Sequence, residues 1–223
     1  YFIDNRLDIL QADRLGAEAA ALTHGHELGY LPAAALVHII YHLAEADGVS
    51  VSSAVRDSMK ALQALFPDAE HLDELLSLMG KALDLASSGM DDLSAIRQLG
   101  EGWVGDETLA IAIYCAVKYP DDFDKAMIAA VNHDGDSDST GAVTGNILGA
   151  RLGLKGIPEK YTGELELKDV ILTVADDLYS DCQMEEYSDF YDQIWDEKYI
   201  QCSYQPEPAN AKRQGKMRKT KEK

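Results

Sequence analysis

Residues 108 to 150 read TLAIAIYCAVKYPDDFDKAMIAAVNHDGDSDSTGAVTGNILGA, and this stretch decides the fold class. From Thr108 to Val117 almost every residue is apolar, which predicts a central helix that is buried on all sides. Pro120 ends this helix, and the apolar run from Phe123 to Val131 predicts a second one. An acidic loop then leads into a third helix, in which glycine recurs at every fourth position.

The glycines of this third helix are predicted to lie along one ridge, because residues four apart share a helix face. Glycine lowers helix stability by roughly 1 kcal/mol relative to alanine, so close packing should compensate for it. We therefore predict that the helix is buried against at least two others. The glycines are Gly141, Gly145, Gly149 and Gly153.

The rest of the chain repeats apolar spacings of three and four residues, which predicts further helices. They cover approximately residues 7–22, 32–43, 51–65, 72–85, 91–99, 167–179 and 187–199, with Pro32 at the start of the second. The glycine-rich segment 100–105 predicts a loop. Because no stretch alternates with a period of two, we expect an all-α bundle over about residues 5–200.

Three carboxylates and a hydroxyl lie within six residues of the acidic loop: Asp134, Asp136, Asp138 and Ser139. Carboxylates this close repel one another, and a hard divalent cation removes that cost. Oxygen-only ligands favour Mg²⁺, Mn²⁺ or Ca²⁺ over zinc. The alternative is that Asp138 or Ser139 only caps the glycine-rich helix. One residue would suffice for capping, so the cluster favours a metal site.

The acidic loop does not fit the EF-hand pattern, which requires a bidentate glutamate at position twelve. Counted from Asp134, position twelve is Gly145. Counted from Asp136, it is Ile147. Both registers lack the acid, so an EF-hand is excluded.

The chain is strongly acidic, with a net charge of −19 over 223 residues. Seven of the last twelve residues are basic, so the first 211 residues carry 13 Lys and Arg against 38 Asp and Glu, a net charge of −25. Such a body repels nucleic acid and attracts divalent cations, although a solvated surface explains the charge equally well. We predict one helical domain over residues 1–204 and a disordered basic tail at 205–223.

Cysteine usage predicts a reducing compartment, because three widely spaced cysteines cannot all pair within one chain. No apolar stretch reaches the roughly 20 residues that span a bilayer. The first residues lack the basic and apolar regions of a signal peptide. These features predict a cytoplasmic protein without a membrane partner.

Residues 131–150 closely resemble the second metal motif of the ADP-ribosylglycohydrolase family, a Gly-Asp-x-Asp-Ser/Thr loop that opens a helix of small residues. Two further segments agree. THGHELGY at residues 23–30 resembles the family's Thr-His segment before a long apolar helix, and GWVGDE at residues 102–107 resembles the glycine-aromatic loop before its central helix. The resemblance covers about residues 15–179 and implies a compact, orthogonal, all-α helical bundle.

The resemblance implies a metal-dependent hydrolase that cleaves the glycosidic bond between ADP-ribose and a protein or a small conjugate. The implied centre is binuclear and uses Mg²⁺ or Mn²⁺, which would hold the ribose hydroxyls and a water beside the anomeric carbon. His133 flanks the loop and either shapes it or contacts ribose. The implied metal ligands are Asp136, Asp138 and Ser139, and the implied substrate-binding residues are His24, Asn132 and Gly135.

The family's first motif, Thr-Asp-Asp-Thr, supplies its other metal ligands and does not occur in this sequence. The chain begins at Tyr1 without an initiator methionine. We therefore expect it to be the C-terminal part of the catalytic domain, with the catalytic residues in a segment upstream. The alternative function is a non-catalytic relative that binds metal or nucleotide, or has a structural role.

Five other residues have both a functional and a structural interpretation. His38 and His42 lie one helical turn apart, but without a third ligand we expect them to pack inside the protein. Trp103 and Tyr30 could stack on adenine or simply pack. Glu107 could support the metal ligands, or it could be an acid at a helix start, where acids are favourable.

Overall fold

The computed structural model describes residues 8–46, 48–179, 193 and 196–201, and within them the chain forms helices and no strand. The all-α architecture predicted from the apolar spacings is therefore confirmed. The α-helices are α1 (Ile9–Ala21), α2 (Glu27–Glu45), α3 (Val51–Leu65), α4 (Leu72–Ser87), α5 (Asp92–Leu99), α6 (Gly105–Lys118), α7 (Phe123–Val131), α8 (Ser137–Gly156), α9 (Glu159–Thr162) and α10 (Lys168–Tyr179), and a π-helical turn follows at Asp196–Ile200.

The chain separates into two compact units, and the larger one, Leu7–Pro158, contains α1 to α8. All the buried apolar side chains of the described residues lie between Ala12 and Leu148, inside this unit. No described helix is long and apolar enough to cross a membrane. The larger unit therefore holds the hydrophobic core that the described residues form.

The smaller unit combines Tyr1–Arg6 with Glu159–Lys223. Its longest described helix, α10, has no buried residue. The tail predicted at 205–223 lies outside the described residues, as does most of the helix predicted at 187–199. The domain boundary after residue 204 stays a prediction.

Helix α6 is central to the larger unit, as its apolar sequence predicts. Every residue from Thr108 to Ala116 is buried, and Tyr114 has no exposed surface. Helices α2, α3, α4, α5, α7 and α8 all contact it. Each fully buried Leu or Ile side chain contributes roughly 1.5 to 3 kcal/mol to stability, so α6 is a main source of hydrophobic stabilisation.

Helix α2 begins earlier than predicted. Pro32 was expected at its start, but the helix starts at Glu27 and Pro32 lies inside it. The expectation was wrong: Pro32 lies more than one turn inside the helix, where its missing N–H leaves the carbonyl four residues earlier without its usual helical partner. That carbonyl belongs to Leu28, and it lies so close to Gly105 of α6 that a Cβ atom there would be 2.9 Å from its oxygen. Helices α2 and α6 thus approach each other closely at the turn of α2 that precedes Pro32.

Helix α8 packs against α2, α6 and α7, which confirms its predicted burial against at least two helices. The predicted reason holds for one glycine only. A Cβ atom on Gly141 would lie 2.7 Å from Val131 Cγ1, whereas Gly149 and Gly153 have open space around them. Gly153 has a φ of 64°, which interrupts the helix. The four glycines therefore do not form one continuous packing ridge.

Helices α1 and α2 share a buried polar contact. His38 Nδ1 lies 2.7 Å from Asp13 Oδ2, and both side chains are almost fully buried. The rings of His38 and His42 are 4.8 Å apart. The arrangement supports the packing interpretation of this histidine pair.

Candidate metal and substrate site

The acidic loop joins α7 to α8, and its carboxylates lie where α8 begins. Asp136 is the N-cap residue, but its side chain makes no capping hydrogen bond. Asp138 and Ser139 lie inside the first turn of the helix. The capping alternative is therefore wrong for both residues. The positive end of the helix dipole instead favours the carboxylates that surround it.

Asp136 and Asp138 interact through their carboxyl groups. A hydrogen bond from Asp136, followed in importance by the backbone N–H groups of Asp138 and Ser139, lowers the pKa of the Asp138 carboxyl. A divalent cation bound near both carboxylates would remove their mutual repulsion.

These residues fit part of a divalent-metal site by their chemistry. Two carboxylates and the hydroxyl of Ser139 are hard oxygen donors of the kind that Mg²⁺ and Mn²⁺ prefer. Mg²⁺ takes six ligands, so these residues would supply only some of them. Within the described ranges, no group of three or more His, Cys, Asp and Glu side chains has the geometry of a metal site.

His133 shapes the acidic loop from within. Its Nδ1 accepts a hydrogen bond from the Gly135 N–H at 3.1 Å, so its proton lies on Nε2. That Nε2 donates to Thr140 Oγ1 at 2.9 Å, and the Thr140 hydroxyl donates to the Ala130 carbonyl at 2.7 Å. The imidazole of His133 thus ties the loop to the end of α7 and to the first turn of α8. Of its two sequence interpretations, shaping the loop is the one that these contacts support.

A second loop, residues 100–104 between α5 and α6, lies directly against the acidic loop. The Asp136 N–H donates to the Glu101 carbonyl at 2.7 Å. A Cβ atom on Gly135 would lie only 1.8 Å from that same carbonyl oxygen. The φ of Gly135 is not positive, so its backbone conformation does not by itself require glycine. The structure requires glycine because the Glu101 backbone occupies the space of a side chain.

Glu107 holds this glycine loop in place. Its Oε2 accepts hydrogen bonds from the backbone N–H groups of Glu101, at 3.1 Å, and Gly102, at 3.0 Å. Thr108 Oγ1 donates to the Gly102 carbonyl at 2.7 Å. The sequence indicated Glu107 as a candidate but not its partners, because both partners are backbone groups that have no sequence signature.

Two cavities flank the glycine loop, and Trp103 lines both. The cavity of about 420 Å³ contains Asp136 and Ser139, and its other walls are largely apolar. The cavity of about 600 Å³ lies between α5 and the two loops and contains Arg97, Glu101 and Asp134. Arg97 and Asp134 approach each other at 3.5 Å, although both side chains are highly exposed.

The predicted substrate-binding residues differ in whether they line one of the two cavities. Gly135 lines the larger cavity. His24 packs on Gly29, which lines the smaller cavity with Asp136. Asn132 lines neither cavity and donates from Nδ2 to the Ile128 carbonyl at 2.8 Å, which ends α7. His24, like Asn132, is not among the residues that line either cavity, and only its neighbour Gly29 borders the one that contains Asp136.

The two aromatic residues that could stack on adenine differ in their exposure and contacts. Trp103 is 66% exposed, and its Nε1 donates to Glu101 Oε2 at 3.1 Å. Tyr30 is half-buried, and its ring centroid lies 6.4 Å from that of Phe66. Packing explains Tyr30, whereas the indole of Trp103 is free to contact a ligand.

Comparison with known proteins identifies relatives of this chain. The chain is 26% identical over 182 residues to the human (Homo sapiens) ADP-ribosylhydrolase ARH3, and the alignment covers 71% of this chain. It covers 48% of ARH3, so the chain spans about half the length of this relative. No solved structure is significantly similar to the chain. The family profile of ADP-ribosylglycohydrolase matches residues 4–188, and the chain therefore belongs to the ADP-ribosylglycohydrolase family.

Proposed function

We propose that the protein is a metal-dependent hydrolase of the glycosidic bond in ADP-ribosylated substrates, of which this chain forms part of the catalytic domain. Its substrate would be an ADP-ribosylated protein or a small ADP-ribose conjugate. The observation that carries the proposal is the placement of Asp136 and Ser139 on the wall of the smaller cavity, with Asp138 between them in the first turn of α8. Family membership and the similarity to a human ADP-ribosylhydrolase support the reaction class.

In this proposal Asp136, Asp138 and Ser139 hold Mg²⁺ or Mn²⁺. A bound divalent ion would supply positive charge that orients the ribose hydroxyls and a water beside the anomeric carbon. Asp136 and Ser139 line the smaller cavity, so they would face a sugar bound there. The second ion of the family's binuclear centre would need ligands beyond these three.

The remaining residues would bind and orient the substrate. His24 borders the smaller cavity through Gly29 and would contact the sugar from the α1–α2 loop. Trp103 stands between the two cavities and offers an exposed indole face on which adenine can stack. Gly135 would bring backbone close to the substrate, because no side chain covers it. Asn132 would act through the loop, since its amide nitrogen already bonds the end of α7.

The metal assignment is tested by titrating Mn²⁺ into the protein in a calorimeter. Asp136→Ala/Asp138→Ala should abolish measurable binding, because it removes both carboxylates. Asp134→Ala is the matched control, since this residue lies in the same loop and its side chain is 94% exposed. We expect the control to retain affinity within about threefold, the change that a solvated charge nearby produces. Equal affinity in wild type and double variant would refute the assignment.

A non-catalytic relative is the second candidate function. It is favoured by the absence from this sequence of the Thr-Asp-Asp motif that supplies the family's other metal ligands. Release of ADP-ribose from an ADP-ribosylated protein, measured with Mn²⁺ present, separates the two candidates. Turnover that Asp138→Ala removes would support the hydrolase. Mn²⁺ and ADP-ribose binding without turnover would support the second candidate.

A further inference from the structure

The position of the acid pair, Asp136 and Asp138, depends on a residue outside this pair. Asp136 begins α8, and its backbone N–H is bonded to the Glu101 carbonyl on the neighbouring loop. A short hydrogen bond to a backbone carbonyl transmits any shift of that carbonyl to Asp136. The place of Asp136 therefore depends on what fixes Glu101.

Glu107 fixes Glu101 by hydrogen bonds to two consecutive N–H groups. One carboxylate oxygen accepts from Glu101 and Gly102, which sets the direction of both peptide groups. Hydrogen bonds to an ionised acceptor are stronger than neutral ones. Glu107 itself lies in the first turn of the buried helix α6, so it holds the loop to the helix at the centre of the unit.

The glycine loop is tightly packed around the Glu107 side chain. Gly100 has a φ of 128°, and a Cβ atom there would lie 2.3 Å from Glu107 Cδ. On the other side of the loop, a Cβ atom on Gly102 would lie 2.8 Å from Thr140 Cγ2 of α8. The loop is thus packed between the Glu107 side chain and the first turns of α8, so a change at one side reaches the other.

We infer that Glu107 is a positioning residue for the acid pair, acting through the Glu101 peptide on Asp136. The mechanical part of this inference, that Glu107 holds the Asp136 backbone in place, is independent of the reaction. The functional part, that this support raises the metal affinity, rests on the proposed function. The two parts therefore have separate measurements.

The mechanical part is tested by hydrogen exchange of the Asp136 amide, measured by NMR on the folded chain. Glu107→Ala should speed this exchange at least tenfold, because the carbonyl that protects the amide loses its support. Glu107→Gln keeps an oxygen acceptor and should restore most of the protection. Thr108→Val removes only the Gly102 contact and should give a smaller change in the same direction. It also carries the test if Glu107→Ala does not fold.

A matched control contacts the other end of α6. Asp92, the first residue of α5, accepts hydrogen bonds from Tyr114 and Lys118 near the C-terminal end of α6. Asp92→Ala should lower the melting temperature without a specific effect on the Asp136 amide. If Glu107→Ala and Asp92→Ala change that exchange equally, Glu107 is only a stabilising residue and the inference is wrong.

Mn²⁺ titration of the same variants measures the functional part. Glu107→Ala should weaken Mn²⁺ binding about tenfold, Glu107→Gln by less, and Asp92→Ala not at all. If wild-type protein binds no Mn²⁺ but the exchange results hold, the proposed function fails and the positioning role stands. If Mn²⁺ binds equally to wild type and Glu107→Ala while the amide exchanges faster, the acid pair does not need this support and the functional part is refuted.

Discussion

Asp106 is a buried acid beside the candidate site that the proposed chemistry does not use. It lies in the first turn of α6 and is 6% exposed, and its Oδ1 is buried without a hydrogen-bond partner among the described residues. Burial raises the pKa of its carboxyl, and the nearby charges of Glu107 and Glu74 raise it further, against the lowering effect of hydrogen bonds to backbone N–H groups. The ionised form is therefore less favourable in the folded protein than in the unfolded chain.

The raised pKa predicts that Asp106 destabilises the fold near neutral pH. Its contribution is most favourable below the ordinary Asp pKa of about 3.9 and is lost as pH rises through the raised folded value. Asp106→Asn should therefore raise the melting temperature at pH 7 and have little effect near pH 4. The gain at pH 7 should be on the order of 1 kcal/mol, the scale of a buried group with an unmatched oxygen.

Thermal unfolding at both pH values measures this difference. Asp91 is the control of opposite sign, because a hydrogen bond from the Ser94 backbone N–H lowers the pKa of its carboxyl. Asp91→Asn should lose more stability at pH 7 than at pH 4. An equal gain for Asp106→Asn at both pH values would show that its titration has no part in the effect.

At the scale of elements, the glycines of α8 differ in how closely they pack and therefore in how they affect stability. Gly149 lies in the helix with no atom near its missing side chain, so Gly149→Ala should raise the free energy of unfolding by about 0.5 to 1 kcal/mol. Gly141 is buried, and an added Cβ would lie 2.7 Å from Val131 Cγ1. Gly141→Ala should therefore give no gain or a loss, because a β-branched neighbour adjusts poorly.

Urea unfolding of the two variants separates these expectations. The comparison is matched, since both replace glycine by alanine in one helix and change its propensity equally. Equal gains in both would mean that Gly141 does not pack closely. Equal losses would mean that the whole ridge does, as its spacing predicts.

Element boundaries followed largely from local sequence. The apolar periodicity predicted α3, α5 and α7 closely, because each is short, amphipathic and preceded by a capping residue. The start of α2 was mispredicted at Pro32. Proline at a helix start is a statistical preference, whereas the first turn of α2 packs against α6 near Gly105, a residue distant in sequence, and local sequence does not reveal that contact.

At the scale of the whole molecule, the hydrophobic core is confined to one part of the chain. All buried apolar side chains of the described residues precede Pro158. We predict that a chain of residues 7–158 folds on its own, with a melting temperature within about 4 °C of the full chain, the shift that about 1 kcal/mol causes in a domain of this size. A chain of residues 7–131, which lacks α8, should not unfold cooperatively. Scanning calorimetry measures all three, and a much larger loss in 7–158 would show that the core needs the C-terminal residues.

The sequence by itself determined the all-α class, most helix positions and the acidic motif that identifies the family. These depend on local properties, namely side-chain periodicity, helix breakers and the order of residues in one loop. The tertiary structure alone decided that Gly135 is needed for contact with the Glu101 carbonyl, that Glu107 holds that carbonyl, and that Asn132 does not face the cavity of the acid pair. Such contacts join backbone groups from separate loops. A backbone group is the same in every residue, so only the packing of α5 to α8 can specify which of them meet.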